Sequence, residues 1–219
     1  MKPEILDTLQ IEFLDIIRET SFLKDNFYLT GGTALAGFYL GHRYSEDLDF
    51  FSEQEIDLLN LNTALKKIKR QMSVKKSEFE QSYNRNLFFL HFGKKMLKTE
   101  FTFFPFPRIN KTNIINGLQV DSLEDIAVNK LFTIYQRVAA RDYIDLYCIM
   151  KEKKLKMPEL IKQAKSKFDW HIDPIQLGSQ FLKSGDARDL PRMVEKIAEK
   201  DWRRFFVEEA KKLRKEVLK

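Results

Sequence analysis

The sequence predicts an α+β fold, with a small mixed β-sheet flanked by helices in the first half and an all-helical second half. Three observations carry this. Short strand-like segments bounded by glycine, proline and polar turns all lie before Pro107. From Asp121 onward every periodic apolar pattern has helical spacing. A chain of 219 residues with 43% hydrophobic and 13% aromatic content can bury a substantial core as one or two closely associated domains. The expected division is 1–115 for the sheet-bearing core and 116–219 for the helical domain.

In chain order, residues 3–20 place Ile5, Leu6, Leu9, Phe13, Ile16 and Ile17 at helical spacing, with Pro3 suited to a first turn. Phe27, Tyr28 and Leu29 form a short buried strand that runs into Thr30-Gly31-Gly32-Thr33 and then a helix over 34–40, ended by Gly41. A strand carrying Asp47 to Phe51 follows, and then a helix over 56–72 whose closing Lys66, Lys67, Lys69 and Arg70 suit its dipole. Strands are expected at 74–79, 86–92 and 96–104, the last two separated by Gly93-Lys94. Phe88, Phe89, Phe101, Phe103 and Phe104 fall at strand spacing and are assigned to the core. Residues 108–120 read as a connector. A long helix opens at a capping-box variant formed by Ser122 and Asp125, and further helices are expected at 158–168, 174–183, 190–199 and 201–217.

The chemistry concentrates between Phe27 and Phe51. Two adjacent glycines let the backbone approach a ligand, and the unpaired amides of a following helix favour phosphate. Asp47 and Asp49, at i and i+2 on a strand, share one face, while Leu48 and Phe50 take the other. Carboxylates beside a phosphate-cradling turn suit Mg²⁺, so the pattern points to metal-assisted phosphoryl or nucleotidyl transfer. The structural alternative for the pair is a solvated strand end. Farther along, Lys130, Arg137, Arg141 and Asp145 fall within a stripe roughly 80° wide if one helix runs through them; Lys130 to Arg141 would span about 16 Å.

Gly31-Gly32-Thr33-Ala34-Leu35, Arg43, Ser45 and Asp47-Leu48-Asp49-Phe50 resemble the signature of the AbiEii-type nucleotidyltransferases, toxins of abortive-infection and toxin–antitoxin systems within the DNA polymerase β-like superfamily. A second block, from Asp121 to Lys130 and on through Arg137 to Arg141-Asp142-Tyr143-Ile144-Asp145-Leu146, is similar to the family's later motif. The resemblance implies transfer of a nucleotide from an NTP. Asp47 and Asp49 would hold Mg²⁺ or Mn²⁺, and Gly31, Gly32, Thr33, Arg43 and Ser45 would surround the nucleotide. Lys130 with Arg137 or Arg141 would neutralise its triphosphate, and Asp142 and Asp145 would join the catalytic set. Relatives carry a third carboxylate on a later strand. Glu100 is the only acid available there and is assigned as a metal ligand, the alternative being a salt bridge to a strand neighbour. The resemblance also implies an RNA acceptor, particularly tRNA, and a cognate antitoxin. The competing readings are a non-catalytic nucleotide- or RNA-binding module and an antibiotic-modifying nucleotidyltransferase.

Composition narrows the remaining possibilities. Lys plus Arg is 38 against 32 Asp plus Glu, a net charge of +6, compatible with a polyanionic partner and equally with a mildly basic soluble protein. Cys148 is a single cysteine, so no intrachain disulfide forms. His42, His91 and His171 lack metal-ligand spacing, which disfavours zinc. Gly31-Gly32 is not followed by the Gly-Lys of a P-loop. With no signal-peptide core and no membrane-length apolar run, the expected location is the cytoplasm.

Overall fold

A computed structural model describes residues 2 and 4–217, without the side chains of 215–217; Pro3 and the Lys215 side chain therefore lie outside the described residues. The chain forms two compact units, Met1–Pro107 with Lys111–Ser122, and Arg108–Asn110 with Leu123–Lys219.

The first unit opens with helix α1 (Thr8–Glu19), which starts later than the apolar spacing implied. Asp7 and Gln10 form a reciprocal capping box that fixes this start, and Ile5 and Leu6 are buried ahead of it. After α2 (Ser21–Asn26) and β1 (Tyr28–Thr30), a one-turn helix α3 (Gly31–Ala34) continues into a π-helical turn (Leu35–Leu40), closed by Gly41 at φ +75°. Next come β2 (Leu48–Ser52), α4 (Leu58–Gln71), β3 (Lys76–Ser82), β4 (Arg85–Phe92) and β5 (Lys95–Phe103).

The expected connector instead contains a hairpin, β6 (Asn113–Ile115) and β7 (Leu118–Val120), turned at Asn116-Gly117. Strand β7 pairs in parallel with β1, so the hairpin extends the sheet, and the first unit runs to Ser122, past the expected boundary at 115, which falls within the hairpin. The full order is β3-β4-β5-β2-β1-β7-β6, with β2 parallel to β5 and antiparallel to β1. Alternation along β2 buries Leu48, Phe50 and Ser52 and leaves Asp49 and Phe51 partly exposed. Phe50 stacks on Phe101 at 5.1 Å, and both contribute to a core with Phe13, Leu29 and Phe88; full burial of each such ring is worth about 1.5–3 kcal/mol. Phe89, Phe103 and Phe104 are only half-buried.

The second unit is helical: α5 (Leu123–Gln136), α6 (Ala140–Lys153), α7 (Met157–Phe168), α8 (Pro174–Leu182) and α9 (Glu199–Val217). Two expectations fail here. The long helix is interrupted at 137–139, where Ala139 is extended at φ −149°, and residues 190–198 are not helical. Pro191 supplies a reason for the second, since the residue before proline is pushed out of the helical region. Among the described residues no helix is long and apolar enough to cross a membrane.

Candidate active site

The register of the sheet assembles the site in the first unit. Thr30 on β1 lies opposite Asp49 on β2, so the chain leaving β1 passes the Asp49 side chain immediately. Gly31 adopts φ +71°, and a Cβ there would lie 2.5 Å from Asp49 Oδ2. A Cβ on Gly32 would lie 2.5 Å from Arg43 Nη2 and 2.8 Å from Ser45 Oγ. The two glycines are thus the surface on which Asp49, Arg43 and Ser45 pack. Thr33 is fully buried and donates its hydroxyl to the Asp47 carbonyl, so that hydroxyl positions Asp47.

Two supports of this turn were missed at the level of sequence. Gln10 Nε2 donates to the carbonyls of Ser45 and Glu46, at 2.8 and 3.1 Å, tying the segment before Asp47 to α1. The Asp7-x-x-Gln10 spacing was the available signal. Asp121, fully buried at the end of β7, accepts the Thr30 hydroxyl at 2.7 Å and so holds the residue preceding Gly31.

Asp49 is also the parallel register partner of Glu100, which brings both side chains to one face of the sheet. Each carboxylate neighbourhood contains a cation. Lys98 Nζ is 2.7 Å from Asp47 Oδ2. Arg85 makes a fork to Glu100, Nε to Oε1 at 2.7 Å and Nη2 to Oε2 at 2.6 Å, and Thr102 donates to Oε1 at 2.6 Å. Both Glu100 oxygens are therefore engaged, in the strand-neighbour salt bridge that was the alternative to a metal-ligand role. Burial pushes the Glu100 carboxyl up, but the bonds from Arg85 and Thr102 and the Arg85 charge hold it below its ordinary range. Among the described residues, no group of three or more His, Cys, Asp or Glu side chains is gathered around one point as a metal cage would be.

The second unit corrects the single-stripe picture. Because the helix breaks at 137–139, Lys130 on α5 meets α6 across the break: its ammonium is 2.7 Å from Asp142 Oδ1 and 2.7 Å from Asp145 Oδ2. Arg137 Nη2 reaches Asp142 Oδ2 at 3.1 Å. Asp142, expected off the stripe, is thus a direct partner of Lys130. Both aspartates are buried, while Arg137 and Arg141 are exposed.

Similarity to known proteins places the chain among the nucleotidyltransferases. The family model described as nucleotidyl transferase AbiEii toxin, Type IV TA system, matches residues 12–215, and the chain belongs to that family. It is 32% identical over 167 residues to an uncharacterized protein of Aquifex aeolicus (strain VF5), covering 75% of this chain and 77% of that one. Its fold is similar to the crystal structure of JHP933 from Helicobacter pylori, with TM-score 0.62, 22% identity and coverage of 94% and 90% of the two chains. It is also similar in fold to MenT4, a nucleotidyltransferase toxin from Mycobacterium tuberculosis H37Rv, with TM-score 0.54, 14% identity and coverage of 92% and 82%.

Proposed function

We propose that this nucleotidyltransferase toxin transfers a nucleotide from an NTP to RNA, with tRNA ends as the acceptor, and uses a divalent cation held by Asp47 and Asp49. The contact between the Asp49 carboxylate and the Cβ-less Gly31 carries the reading, because it brings carboxylate oxygens to a turn that a triphosphate can approach closely. The donor set is all oxygen, which fits a hard ion such as Mg²⁺ or Mn²⁺. When bound, the cation supplies Lewis-acid charge that activates the acceptor hydroxyl and stabilises the departing pyrophosphate. The remaining work belongs to the protein. Gly31 and Gly32 admit the triphosphate, Arg43 and Ser45 line the turn, Thr33 fixes Asp47 through its backbone, and Gln10 holds the segment before it. Within the helical unit Lys130 is committed to Asp142 and Asp145, and Arg137 is exposed but also bonds Asp142; exposed Arg137 and Arg141 are the cations assigned to the triphosphate. Family membership in a type IV toxin–antitoxin system supports a cognate antitoxin, and the cytoplasm is the location assigned to both.

Incubating the protein with total cellular RNA, each of the four labelled NTPs in turn, and Mg²⁺ or Mn²⁺ tests this reading. The wild type labels RNA with at least one NTP; Asp47→Asn and Asp49→Asn label none while melting within a few degrees of wild type. Failure of every NTP to label RNA removes the acceptor assignment. Undiminished labelling by Asp49→Asn removes the metal site.

A further inference from the structure

The cations beside the carboxylates use the same charges that a divalent ion would need. Glu100 is 5% exposed, so its charge requires a partner inside the fold, and Arg85 supplies one through two short parallel bonds. Arg85 itself is different: its side chain is 52% exposed, and it reaches Glu100 from the outer end of β4. The β4–β5 register opposes Arg85 to Thr102 and Leu87 to Glu100, so Arg85 lies on the face that Glu100 shares with Asp49 and its guanidinium reaches Glu100 diagonally. Asp49 acts on Arg85 as well, adding its charge to the Glu100 contacts that keep the guanidinium protonated.

We infer that Arg85 is a resident counter-ion of the carboxylate face, which a divalent cation must displace or be repelled by, and that Arg85 therefore sets how tightly the nucleotide-free enzyme binds metal. The inference rests on the proposed metal role of Asp47 and Asp49. The Arg85 side chain is half-exposed, so solvent is open to it if it leaves Glu100, and the Thr102 hydroxyl remains as a donor to Glu100. In the resting protein the dication thus competes with a positive charge already in place. A metal ion arriving with the triphosphate brings compensating negative charge and meets less opposition. Arg85 is a positioning residue in this scheme; it touches no reacting atom.

The test is a Mn²⁺ titration of nucleotide-free protein at pH 7.5, following the EPR signal of free Mn²⁺, with a thermal melt of every variant. Arg85→Gln, which keeps hydrogen-bonding capacity and loses the charge, should bind Mn²⁺ at least about tenfold more tightly than wild type, the equivalent of about 1.4 kcal/mol. Arg85→Lys keeps the charge and loses the fork, and should tighten binding by less. It also serves as the measurement should Arg85→Gln not fold. If either folded variant binds Mn²⁺ as wild type does, or more weakly, while Asp49→Asn abolishes binding, the metal site stands and the inference about Arg85 is overturned. If Asp49→Asn binds as tightly as wild type, the metal reading fails and the inference fails with it. A purely structural salt bridge would lower the melting temperature of Arg85→Gln and leave its Mn²⁺ affinity unchanged.

Discussion

Gly31 and Gly32 act through the atoms they lack. At Gly31 an added methyl group would meet Asp49 Oδ2 and would also have to sit at φ +71°. The left-handed backbone alone costs a non-glycine residue roughly 1–2 kcal/mol, before the carboxylate is displaced. Gly31→Ala is therefore expected to lower stability by at least that amount and to reduce nucleotide transfer by about a hundredfold or more. Chemical denaturation paired with the RNA-labelling assay checks both. Transfer within a few-fold of wild type would mean that Asp49 does not need its present position. At Gly41 the φ of +75° is used differently, to end the π-helical turn. Position in the sequence already separates these uses; the register of β1 against β2 adds that the chain at Gly31 passes Asp49.

At the scale of elements, buried ion pairs decide how the helical unit is joined. Asp125 on α5 and Lys167 on α7 are both nearly inaccessible and lie 2.8 Å apart. Asp125 also accepts from the amides of Ile109 and Asn110, tying the 108–110 segment to the helices. Beside the capping role that its spacing from Ser122 predicts, its carboxylate makes these longer-range contacts. Removing one partner of such a pair strands a buried charge, so Lys167→Met should cost about 3–5 kcal/mol, whereas Lys167→Met combined with Asp125→Leu should recover part of the loss. Burial pushes the Asp125 carboxyl up, but Lys167 and the two amides more than offset this and leave its pKa below the ordinary 3.8. A depressed carboxylate pKa means that the stabilisation is present above pH 3.8 and is lost as pH falls through the folded-state value. Melting curves of the wild type and both variants across that acid range measure the effect; an undiminished melting temperature in Lys167→Met would show that the pair contributes nothing.

For the whole molecule, the net charge of +6 is spread over a surface in which many cations are already paired. Helix α9 buries Trp202, Phe206, Ala210 and Leu213 and exposes Lys211, Lys212 and Arg214. Lys211 pairs with Glu208 and Lys212 with Glu209, at 2.8 and 2.5 Å. RNA binding, if it draws on this helix, therefore engages few net charges. With about three phosphate contacts, affinity would fall roughly 20- to 40-fold between about 50 and 200 mM salt, a shallow dependence for a nucleic-acid binder. Fluorescence anisotropy of labelled tRNA across that range checks it, and salt-independent binding would remove α9 from the RNA contacts.

The identity of the fold and the centre of the site were legible in the sequence because both depend on local pattern. Period-two alternation predicts β2, β4 and β5, and the Gly-Gly turn followed closely by Asp47 and Asp49 marks the candidate site, where the structure sets Gly31 against Asp49. The β4–β5 turn even limits the register that opposes Leu87 to Glu100, so the approach of Arg85 was readable in principle. Tertiary structure decided what depends on partners far apart in the chain. The short strand β7 becomes part of the sheet by pairing with β1, and Asp121, at its end, reaches Thr30 across ninety-one positions. The break after α5 is stabilised where Lys130 can satisfy two buried aspartates at once, an arrangement that a continuous helical wheel cannot represent. Glu100 shares a face with Asp49 through the β2–β5 register, but its partner comes from the strand packed beside it, because a buried carboxylate takes the cation within reach.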